Sequence, residues 1–74
     1  MTTINFFAAG HGLPEPAPSG ATVTATLPTG CVLRVSTGGA WSVVSSPYVA
    51  TAACSVRVDC DVFTGPVTAT LEVT

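Results

Sequence analysis

Polar and apolar residues alternate one for one through two separate stretches of the chain. Thr22, Thr24 and Thr26 are interleaved with Val23, Ala25 and Leu27, and Thr68, Thr70 and Glu72 with Val67, Ala69, Leu71 and Val73. A period of two belongs to a strand with one face in a core and the other in solvent. Pro28-Thr29-Gly30, Thr37-Gly38-Gly39, Ser45-Ser46-Pro47 and Thr64-Gly65-Pro66 punctuate the sequence. Between them fall candidate strands over 21–27, 31–36, 40–44, 48–53, 55–63 and 67–73. Short strands broken at such intervals predict an all-β fold, a small antiparallel β-sandwich or barrel of about six short strands. Around Ala53 and Cys54 the break is least defined, and the Ala-rich residues 50–53 also fit a bend at a sheet corner.

Residues 1–20 read differently. A short apolar segment, 4–9, is followed by Gly10-His11-Gly12-Leu13 and then by Pro14, Pro16 and Pro18 at alternate positions. Proline lacks a donor and fixes an extended backbone, so no helix or central strand runs through this stretch. The reading is an extended Pro/Gly-rich N-terminal arm over 1–20 attached to a compact β domain over 21–74. Its stiff part, 14–20, spans roughly 20 Å and would carry Phe6 and Phe7 to a neighbouring subunit's groove. Residues 4–8 fit equally well as the first strand of the domain's own sheet.

Strand parity places the remaining distinctive side chains. In 55–63, Val56, Val58, Cys60 and Val62 share a face with Cys54, and Arg57, Asp59, Asp61 and Phe63 share the other. In 31–36, Cys31, Leu33 and Val35 oppose Val32 and Arg34. All three thiols then point inward, as core cysteines do. Along an unbroken strand Cys54 and Cys60 are roughly 20 Å apart, beyond the span of a disulfide. Trp41, which alternates with Val43, is expected in the core centre.

Composition changes the picture of the surface. Two arginines, no lysine and four acidic residues give a net charge of −2, and charged residues make up 8% of the chain, against about a quarter in an ordinary soluble domain. With only Arg34 and Arg57 to neutralise phosphates, nucleic acid is not an expected partner. Attraction to an anionic membrane is weak for the same reason, and no apolar run approaches the 18 residues or so of a spanning helix. An odd number of cysteines and a start without the basic and apolar regions of a signal peptide suggest assembly in a reducing cytosol. A chain this small has a marginal core, and a partner chain would supply both stability and cover for an uncharged surface.

Several chemistries can be weighed against plain structural uses. Cys31, Cys54, Cys60 and His11 have a zinc site's ligand count but lack its close Cys-x₂₋₄-Cys spacing, so no metal is expected. Asp59 and Asp61, about 7 Å apart on one strand face, resemble a glycosidase acid pair only in separation, with too little chain to build a sugar cleft. A cross-strand ionic ladder of Arg34, Arg57, Asp59 and Asp61 accounts for them better. His11, flanked by glycines, lacks the rigid placement of a general base, and no serine sits in a nucleophile elbow. The sequence therefore predicts no enzyme, no catalytic residues and no cofactor. Phe6, Phe7, His11, Leu13, Val32 and Phe63 are the candidate contacts with a partner. The pentapeptide 23–27 recurs identically as 67–71, and 31–35 matches 54–58 in three of five places, without the fixed spacing of a repeat array.

A methionine start without an export signal, a Pro/Gly-rich arm, a Thr/Val/Ala-rich β body and little charge together resemble the small decoration or cement proteins of tailed-bacteriophage capsids. The resemblance covers overall architecture and carries no residue across. It implies a structural virion protein, assembled in the host cytoplasm, that forms homo-oligomers, with a trimer favoured. It would bind the assembled capsid and bridge neighbouring subunits, with the arm as anchor. A tail or head-fibre piece and an immunoglobulin-like module binding sugar or protein are the alternatives.

Overall fold

A computed structural model describes all residues 1–74. The chain forms nine strands: β1 (Thr2–Phe6), β2 (Gly10–His11), β3 (Glu15–Ala17), β4 (Thr22–Thr26), β5 (Cys31–Ser36), β6 (Ser42–Val44), β7 (Tyr48–Val49), β8 (Cys54–Cys60) and β9 (Val67–Val73). They make a small antiparallel β-sandwich. Sheet A has the order β1-β9-β4-β7. In sheet B, β8 has β5 and then β6 on one side, and β2 and β3 in succession along the other. The alternating stretches became β4 and β9, which are neighbours: Ala25 faces Leu71 and Thr26 faces Thr70. The related segments 31–35 and 54–58 are neighbours too, in β5 and β8, so each copy packs beside its likeness at the centre of a sheet.

Residues facing between the sheets form one core of Phe6, Val23, Leu33, Val35, Val56, Val58, Ala69 and Leu71 with buried Ala17, Ala21, Cys31 and Cys60. Leu33 and Val58 are directly opposed in sheet B, and the parity expected for β5 and β8 holds as far as Cys60; Val62, expected on the inner face, lies past the end of β8 and is 61% exposed.

Residues 1–20 differ from the extended arm. β1 pairs antiparallel with β9 from Thr2↔Leu71 to Phe6↔Val67, and Phe6 is only 6% exposed. The prolines do not prevent pairing, because β3 is an edge strand: Pro16 lies opposite Ser55 with its side chain exposed. A missing N–H at an edge costs no internal ladder bond. The segment thus supplies three strands in cis, and the strand count rises from about six to nine.

Other expectations shift locally. The strand expected over 48–53 stops at Val49. The backbone then turns to tie Ala50 to Ala21 (N–H to carbonyl, 2.9 Å) and Gly20 to Ala50 (2.7 Å), and residues 51–53 bend. The strand expected over 55–63 ends at Cys60, because the N–H groups of Asp61 and Val62 both turn to the carbonyl of Gly30 (2.9 and 3.2 Å). Trp41 is not the core centre. Its neighbour in parity, Val43, faces Arg34 and is exposed, while Val44 packs against the core. With valine at both 43 and 44, alternation gave β6 two acceptable faces.

Candidate functional site

The outer face of sheet B gathers four of the chain's six charged side chains. Arg34 in β5 lies opposite Arg57 in β8, and the acids follow at alternate positions along β8, Asp59 and then Asp61 just past its end. The Arg34 guanidinium donates to Asp59 Oδ2 at 2.9 Å through Nη1, and to Asp61 Oδ1 and Oδ2 at 2.7 Å each through Nη1 and Nη2. Arg57 Nε lies 2.9 Å from Asp59 Oδ1 and 3.1 Å from Oδ2. Its N–H is directed at Oδ2, which leaves Oδ1 in charge contact without a directed hydrogen bond. The same Arg57 side chain lies over the Trp41 ring, 4.0 Å from its centroid, a cation–π distance. Trp41, expected inside, is thus the cover of this network.

Asp59 is fully buried, although it stands on the face that looks away from the core. His11 pairs in register with Asp59 and its Nδ1 lies 3.2 Å from Asp59 Oδ2, the same oxygen that Arg34 and Arg57 reach. A buried carboxylate is tolerable only with such partners. Gly12 donates to the Val58 carbonyl at 2.8 Å and holds β2 in place. No residue pattern in 10–12 announces this contact; the only available signals were a lone histidine among glycines and two acids in need of covering.

The electrostatics follow the contacts. Hydrogen bonding from Arg34 holds the Asp61 carboxyl below its ordinary value, and its bond to Asp61, then to Asp59, raises Arg34 further above its own. A carboxylate committed to arginines is a poor proton carrier. What the cluster does is stitch β5, β8 and β2 together on the outside of sheet B.

The candidate partner contacts lie at several places in the fold. Phe6 belongs to the core, which removes it from any interface. Phe7, 76% exposed, leaves β1 where residues 61–66, including Phe63, lead into β9. Leu13, 86% exposed, stands between β2 and β3 along the outer edge of β8. Val32 is half-buried opposite Asp59, and His11 is exposed over the ionic cluster. His11 and the inward thiols of Cys31 and Cys60 lie on opposite faces of sheet B, so the four-residue zinc set does not converge. No pocket opens beside the cluster or elsewhere on the molecule.

Set against known proteins, the chain matches no family model, no curated protein and no solved structure.

Proposed function

We propose that this chain is a structural virion protein that binds an assembled capsid and stabilises it by bridging neighbouring subunits. The observation that carries the reading is the outer face of sheet A. Thr3, Asn5, Thr24, Thr26, Thr68 and Thr70 form cross-strand rows on it, with Thr3 and Thr26 both paired to Thr70 and Asn5 to Thr68. Glu72 is the only charged residue in the four strands of that sheet. This face is continuous with the outer edge of β1, a five-residue strand without proline or charge. Natural edge strands that stay unpaired are usually guarded by lysine, proline or a bulge. An unguarded edge beside a neutral face suits strand addition to another subunit's sheet.

The anchor in this reading is the β1 edge and the threonine face, with Phe7 at its end, in place of a free arm. A bridging role needs no catalytic group and no cavity, and binding only the assembled shell stabilises it by linkage. A thermal melt of capsids with and without the chain tests this. A lower-melting shell without the chain is the expected result, and loss of shell binding by the Thr3→Lys/Thr70→Lys double variant in its folded state is expected with it. An unchanged melt, or absence of the chain from purified particles, overturns the proposal.

A further inference from the structure

Two of the three cysteines are brought face to face. Cys31 opens β5 and Cys60 closes β8, and they are direct partners in the ladder. The Cys31 N–H donates to Pro28 at 3.0 Å and not across to Cys60, which identifies a non-hydrogen-bonded pair. In such pairs the Cα atoms are about 4.5 Å apart and the side chains are at their closest. That separation lies within the roughly 4.4–6.8 Å over which disulfides form. Both side chains point into the core, at 8% and 2% exposure, and both are free thiols. Cys54, six residues earlier on β8, is roughly 20 Å from Cys60 along the strand and opposes Ala17.

We infer that Cys31 and Cys60 are a covalent modification site that closes to a cross-strand disulfide when the chain meets a small-molecule disulfide such as oxidised glutathione. One cysteine thiolate attacks a sulfur of the oxidant and expels a glutathione thiolate. The second cysteine thiolate then attacks the protein sulfur of the mixed disulfide and expels the other glutathione. The two cysteine protons end on the two departing thiols. Two electrons pass from the protein to the oxidant, one S–S bond forming as one breaks. Burial, together with the neighbouring Cys60, pushes the Cys31 thiol up to about 11, so closure is slow near neutrality and accelerates as pH rises toward that value. The bond would tie the β5 and β8 ends together across a long loop, where cross-linking constrains the unfolded chain effectively.

The arginines make the site easy to read, because trypsin cutting after Arg34 and Arg57 puts Cys31, Cys54 and Cys60 in separate peptides, 1–34, 35–57 and 58–74. The full chain is treated with oxidised glutathione at pH 8.5, both folded and during refolding from urea, then alkylated, denatured and digested without reductant. Peptides 1–34 and 58–74 joined by a disulfide, alkylation at Cys54 alone, and a Tm higher by at least about 10 °C are expected. The Cys54→Ser variant should give the same link. Stable glutathione adducts without a link, a link to Cys54, or three unoxidised thiols after refolding in the oxidant would each overturn the inference, and so would a linked protein with a lower Tm.

Discussion

Arg34 and Asp61 meet as a two-pronged pair, with both guanidinium-to-carboxylate hydrogen bonds at 2.7 Å. The nitrogen that serves Asp61 Oδ1 also serves Asp59, so one side chain in β5 holds both Asp59 of β8 and Asp61 just past its end. Lysine cannot reproduce that fork. Arg34→Lys is therefore expected to lower the urea midpoint, though less than Arg34→Ala. Asp61→Asn, at the exposed end, should have the smallest effect. Asp59→Ala leaves the arginines without their buried counter-charge and should cost about 3 kcal/mol. Urea denaturation of the four variants checks the order; an Asp61→Asn effect as large as that of Asp59→Ala would show that the buried carboxylate is not the centre of the cluster.

The same pairing sets the acid side of the stability profile. Asp61 titrates below its ordinary value of 3.8 in the folded chain. Its contribution is therefore fully present above that value and is lost as pH falls through the lower folded one. On the alkaline side the sign reverses: Cys31 is raised from 9.0 to about 11. The folded state holds that proton more tightly, and stability is lost as pH rises between the two values. Urea midpoints measured from pH 2 to 11 should fall at both ends. Asp61→Asn should flatten the acid limb and Cys31→Ser the alkaline limb, each leaving the other in place.

Adjacent phenylalanines offer the sharpest test of how residues 1–20 are used. Phe6 is in the core and Phe7 is exposed. Phe6→Ala should destabilise the monomer by about 3–4 kcal/mol, whereas Phe7→Ala should stay within about 0.5 kcal/mol. If β1 instead paired only with a neighbouring molecule, Phe6→Ala would weaken association and leave the dilute monomer's urea midpoint unchanged.

That contrast also marks how far the sequence could be read. β5 and β9 were legible to the residue, because Cys31, Leu33 and Val35 and the Val/Thr run 67–73 each have only one apolar face. The ladder of Arg34, Arg57, Asp59 and Asp61 was legible for the same reason, once β5 and β8 were taken as neighbours. The cis placement of residues 1–20 was not. Pro14, Pro16 and Pro18 exclude a central strand and leave both a free arm and an edge strand open; which one forms depends on β8 offering an edge, a tertiary fact. The contact of His11 with Asp59 depends on that same docking, since β2 is what brings the imidazole to the carboxylate. Trp41 was misplaced because parity in a three-residue strand rests on a single choice between Val43 and Val44. The facing of Cys31 and Cys60 needed the β5–β8 register, which no periodicity within one strand contains.

Gly30 is the backbone position on which that register depends. Its φ is +88°, in the left-handed region that side-chain-bearing residues rarely adopt. A Cβ there would run into the carbonyl oxygen of Val62. Its own carbonyl accepts from both Asp61 and Val62, so the close approach that a side chain would block is also what ends β8 and starts the β5 ladder at Cys31. Gly38 has a comparable φ, +110°, but open space around it, and at Gly39 there is neither a positive φ nor a neighbour. Gly30→Ala should therefore cost about 3 kcal/mol or more, Gly38→Ala about 1, and Gly39→Ala almost nothing. Because Gly30→Ala disturbs the end of the ladder, it should also slow closure of the Cys31–Cys60 disulfide under conditions where the variant is still folded. Equal costs at Gly30 and Gly38 would mean that the backbone angle alone matters and that the contact with Val62 does not fix the register.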